Sequence, residues 1–88
     1  MDQKIKVYSY YVVELDCRLN IYAFDKNQAD NLINLYCKNS KKNCMFLRIS
    51  KSKKEMENMN RLIKKFGDSK NLIEKEYELL GGKKDGKR

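Results

Sequence analysis

The residues able to do chemistry in this chain are few, and their spacing excludes more than it offers. Cys17, Cys37 and Cys44 form no CxxC pair, and an odd count suits neither a disulfide framework nor a zinc site. Reduced, mostly buried thiols are expected. Cys17 beside Arg18 has a route to reactivity through a lowered pKa, but the chain has no histidine to serve as its base. The same lack removes the commonest general base and metal ligand together. Glu14 with Asp16, and Glu55 with Glu57, stand two apart without a further acidic cluster at ligand spacing, so they read as surface charges. Glu74, Glu76 and Glu78 interleave with Lys75 on a helix where Glu74 and Glu78, one turn apart, keep their face wet. Residues 81–87 spell G-x-x-x-x-G-K, but Arg88 stands where a phosphate-binding loop needs Ser or Thr for magnesium. That segment reads as a solvated basic tail. The expectation is a protein that binds and is not an enzyme, with no catalytic residue, metal or cofactor.

Charge is the stronger signal. Of the net +8, residues 31–54 hold +7 through Lys38, Lys41, Lys42, Arg48, Lys51, Lys53 and Lys54 with no acid, whereas residues 1–30 and 55–80 each carry −1. These cations flank a predicted strand and the first turn of a predicted helix, whose N-terminus adds partial positive charge and draws phosphates or carboxylates. An acidic protein, a nucleoprotein complex or a nucleic acid would suit such a segment. The competing reading is a Lys- and Asn-rich surface typical of low-GC genomes, with no function attached.

The elements that position these residues follow from periodicity. Residues 5–13 alternate in β-branched and aromatic types, residues 14–18 interrupt, and the alternation resumes through Leu19, Ile21 and Ala23, predicting a hairpin. On that reading Tyr8, Tyr10, Tyr22 and Phe24 share one face, with Lys6 and Arg18 at its margin. Four rings on one face are stacking platforms for single-stranded nucleic acid or a hot-spot patch for a protein. Cover by the third helix of this chain, as part of its core, is the leading alternative, and a second copy in a homodimer is another. The RNA-recognition sheet signature is absent.

Asp25 followed by Gln28 caps a helix whose stripe is Ala29, Leu32, Ile33, Tyr36 and Cys37. Residues 39–43 break it, and residues 44–50 have the length of a buried strand. Ser52 and Glu55 fit a capping box that opens a second helix over about 53–66. Gly67 ends it, and Asp68 or Ser69 caps a third helix bearing Leu72, Ile73, Tyr77 and Leu80. The prediction is one α+β domain over residues 1–80, ordered β-β-α-β-α-α, with a disordered tail over 81–88. Its three-stranded, mainly antiparallel sheet has the third strand beside the first, and one face is covered by the first helix. Periodicity leaves the place of the last two helices open. No apolar run is long enough for a membrane span and the first residues lack a signal-peptide core, so a cytoplasmic protein without membrane contact is expected.

Residues 22–36, YAFDKNQADNLINLY, resemble small uncharacterised proteins encoded by phages and mobile elements of low-GC bacteria, in which a strand ending Tyr-Ala-Phe runs into a Lys-rich helix. The resemblance covers the first half of the chain. It implies an accessory role in a bacterial host cell, and such genes often encode inhibitors of host defences, including anti-CRISPR proteins.

Overall fold

A computed structural model of the chain describes residues 4–81; the first residues and the tail from 82 onward, with most of the G-x-x-x-x-G-K pattern, lie outside the described residues. The elements are β1 (Lys6–Val12), β2 (Cys17–Ala23), α1 (Lys26–Ser40), β3 (Cys44–Ile49), α2 (Lys53–Phe66) and α3 (Ser69–Leu79), an α+β fold in the predicted order. The sheet order is β2-β1-β3, with both neighbouring pairs antiparallel.

The hairpin loop, residues 13–16, decides what each face carries. With an even number of loop residues, every β1 residue meets a β2 residue of opposite parity: Tyr8 pairs with Ile21, Tyr10 with Leu19 and Val7 with Tyr22. Tyr8 and Tyr10 therefore share a face with Leu19, Ile21 and Ala23, while Tyr22 points to the other. This corrects the expectation of four rings on one face. The alternation holds along each strand, but the loop length sets the phase between them. Asp16 closes the loop at φ 51°, a left-handed conformation that aspartate tolerates, and accepts a hydrogen bond from the Tyr11 hydroxyl.

α1 packs on the Tyr8, Tyr10 and Ile21 face and buries Ala29, Leu32 and Ile33. Its Asp25 cap accepts from the Gln28 N–H at 2.8 Å, and the Gln28 side chain reaches back to the Phe24 N–H, also at 2.8 Å. The helix runs through Ser40, slightly beyond the break expected at 39, and ends on Lys41 at φ 56°.

α2 lies over the opposite face. Ser52 caps it, but the Glu55 carboxylate does not return to the cap. It accepts instead from the Ser50 hydroxyl and from Asn20 Nδ2, whose amide oxygen in turn accepts from the Ser9 hydroxyl at 2.9 Å. Ser9 and Ser50 are buried, so this chain of partners keeps two buried hydroxyls satisfied. Gly67, at φ 102°, ends α2 with its N–H bonded to the Ile63 carbonyl at 2.8 Å. Asp68 then caps α3, which buries Leu72 and Ile73 and crosses the outer edge of β2. No described helix is long and apolar enough to cross a membrane.

β3 departs from expectation. Its apolar run predicts a buried strand, yet all residues after Cys44 are exposed. α1 packs mainly over β2 and α2 over β1, so neither helix reaches far enough to cover the third strand.

Candidate interaction surface

Tyr8 and Tyr10, two of the rings singled out as partner contacts, are each only 2% exposed and belong to the core. The Tyr10 hydroxyl donates to Asp30 Oδ1 at 2.7 Å, and Lys26 Nζ approaches the other carboxylate oxygen at 3.0 Å. Those two hydrogen bonds, the tyrosine's first, hold the Asp30 carboxyl below its usual range, while burial and the carboxylate raise the Tyr10 hydroxyl. Tyr22 and Phe24 are half-buried, and the Tyr22 hydroxyl accepts from Asn58 Nδ2 at 3.3 Å. None of the four rings is an open stacking platform.

The basic residues lie where a partner can reach them. Lys38 is in the last turn of α1, Lys41 caps it, Lys51 precedes α2, and Lys53 and Lys54 open it, all exposed; Lys42 is half-buried. Arg48 is exposed on β3, opposite Ser9. The fold joins Lys54 to Arg18 and to Arg61, a residue the sequence reading passed over, around an open groove of about 850 Å³. Tyr22, Asn20, Asn58, Glu55 and Glu57 also line it. With Glu55 and Glu57 on its wall beside Arg18, Lys54 and Arg61, its charge is mixed rather than uniformly basic.

The surface that sequence reasoning missed is β3 itself. Met45 is 55% exposed, Leu47 43%, and Phe46 and Ile49 39% each, so four of its six residues are large apolar side chains facing solvent. The Phe46 ring meets Tyr10 edge-on, with centroids 5.5 Å apart, and Lys26 Nζ stands 4.5 Å from its centre. A signal for this was present: a strand beside the first in a three-stranded hairpin sheet must be an edge, and lysines on both flanks mark its surroundings as solvated.

One chemical expectation also changes. Cys17 is exposed rather than buried, while Cys37 and Cys44 are half-buried. Burial, followed by a hydrogen bond with Cys37, pushes the Cys44 thiol up to about 12, away from nucleophilic use. Glu76 parts from Glu74 and Glu78: its carboxylate turns inward to accept the Tyr22 N–H at 3.0 Å, and burial pushes it up to about 7. Among the described residues, no group of three or more acidic, cysteine or histidine side chains is placed to hold a metal. Comparison with protein-family models, curated proteins and solved structures finds no match to this chain.

Proposed function

We propose that this protein acts by binding a protein or nucleoprotein partner, as a phage-type accessory protein that inhibits a host factor by occupying one of its surfaces. The observation that carries the reading is β3, a solvent-facing apolar strand set inside a segment of seven cations and no acid. Apolar anchors with a charged surround are what protein docking sites use, the anchors supplying affinity and the rim supplying steering. Direct nucleic-acid binding is the alternative, and the burial of Tyr8 and Tyr10 weakens it by removing its stacking platforms.

Two measurements separate these. The immobilised chain should retain a partner from a lysate of a low-GC bacterium after nuclease treatment, and an Arg48→Glu/Lys51→Glu variant should lose it. Fluorescence anisotropy with generic DNA and RNA should show little binding; a tight complex weakening log-linearly with salt would replace the protein-partner reading with the nucleic-acid one.

A further inference from the structure

We propose that the outer edge of β3 takes an extended acidic segment of a partner protein as a fourth strand of the sheet. This deepens the binding reading above and rests on it.

Two hydrogen bonds fix the phase of the edge. The Ser50 N–H donates to the Val7 carbonyl at 2.7 Å and the Val13 N–H to the Asn43 carbonyl at 2.9 Å, bracketing β3 at both ends. By the alternation of an antiparallel ladder, Cys44, Phe46 and Ile49 turn their backbone N–H and C=O groups away from β1, toward the open side. These are the groups an added strand would bond.

The bulge shapes what can pair there. β3 matches Tyr8 with Ile49 and Ser9 with Arg48, then Tyr10 with Phe46, leaving Leu47 as an extra residue. That residue shifts the parity, so Cys44, Phe46 and Ile49 all lie on the α1 face, and Met45 and Arg48 on the α2 face. A strand alternating apolar and acidic residues would lay its apolar side against Phe46 and Ile49 and its carboxylates beside Arg48, since adjacent strands interact residue by residue on each face.

Charge selects the occupant. A second copy added edge to edge would bring another acid-free segment of +7 against the first, a like-charge juxtaposition that opposes the pairing. An acidic strand meets the same field as attraction. The three-residue spacing from Phe46 to Ile49 also disfavours long, regular pairing, as bulges on edges commonly do.

The test uses the ¹⁵N-labelled full chain at low salt with a blocked octapeptide of alternating glutamate and valine. The peptide should slow amide exchange at Cys44, Phe46 and Ile49 by on the order of tenfold. A lysine–valine counterpart, the same acidic peptide N-methylated at alternate residues, and the Arg48→Glu chain should each lose the protection. Shifts at the basic side chains without amide protection would overturn strand addition while leaving a basic docking surface intact. No response at all would overturn both readings. Protection that grows with the chain's own concentration, together with a dimer in sedimentation, would overturn the acidic occupant in favour of a second copy.

Discussion

The sheet has two edges, and the molecule treats them oppositely. At β2, α3 crosses the edge, and the Glu76 carboxylate accepts the outward-turned Tyr22 N–H. Turning that carboxylate into a half-buried position raises its pKa to about 7, so the cover comes with an electrostatic cost. At β3 no described helix crosses, and Met45, Phe46, Leu47 and Ile49 are exposed. An uncovered apolar edge invites pairing with other chains, and natural sheets usually blunt it with charge, bulges or short length. β3 has all three devices in Arg48, the extra Leu47 and six residues, yet keeps its apolar side chains. One edge is therefore closed at some expense, and the other is left open with its apolar side chains exposed.

The sharpest way to break the contrast is to weaken the element that closes β2. Leu72→Ala removes a side chain only 3% exposed beneath α3 and should cost about 2–5 kcal/mol in urea unfolding. Amide exchange at Tyr22 should rise with it. If the variant stays within a few tenths of wild type, α3 does not hold the edge.

Glu76 gives the next largest effect, and its sign is specific. Its folded pKa, about 7, lies above the ordinary value of 4.5, so the folded chain holds a proton that the unfolded chain releases. The stabilisation from that proton is complete below about pH 4.5 and is lost as pH rises through 7. A shift of this size corresponds to about 3 kcal/mol. The chain has no histidine, which leaves this window comparatively clear of other titrations. Glu76→Gln keeps an acceptor for the Tyr22 N–H without a charge to bury. Its denaturation midpoint should exceed wild type at pH 8 and approach it at pH 5. Equal pH slopes in the two proteins would show that the carboxylate is solvated.

The two edges also mark how far the sequence could be read. Element order, the Asp25, Ser52 and Asp68 caps and the stop at Gly67 are local signals, encoded in a few adjacent residues. The third strand's place beside the first followed from chain connectivity. What was not legible depends on relations between segments. The four-residue hairpin loop carries no Gly or Pro to fix its type, so the parity that splits Tyr8 and Tyr10 from Tyr22 was open. Glu76 looks like its neighbours Glu74 and Glu78 in sequence, and only the crossing of α3 over β2 turns it inward. CMFLRI has no alternation to reveal a face, and its exposure depends on where two helices end. Of the candidate contacts, the basic residues were legible because they are a property of the chain, whereas the apolar strand between them needed the fold.

A smaller test probes the link between the open edge and the core. Tyr10→Phe removes the hydroxyl that donates to Asp30 at 2.7 Å while keeping the ring that meets Phe46. Asp30 retains Lys26, so the loss should be about 1 kcal/mol, with the Asp30 pKa moving up toward its ordinary range by carbon-detected titration. A larger loss would mean that the hydroxyl also orients Lys26 over Phe46.

The smallest effect on stability belongs to β3 itself. Leu47 is 43% exposed at the bulge and Met45 55%, so the fold gains little from either side chain. Leu47→Thr and Met45→Thr keep strand propensity, and each should stay within about 0.5 kcal/mol of wild type. If β3 is only an uncovered remnant of the core, these variants should remain silent in every partner assay. If its apolar residues are kept for docking, both should weaken partner retention at almost unchanged stability, the reverse of what Leu72→Ala does at the closed edge.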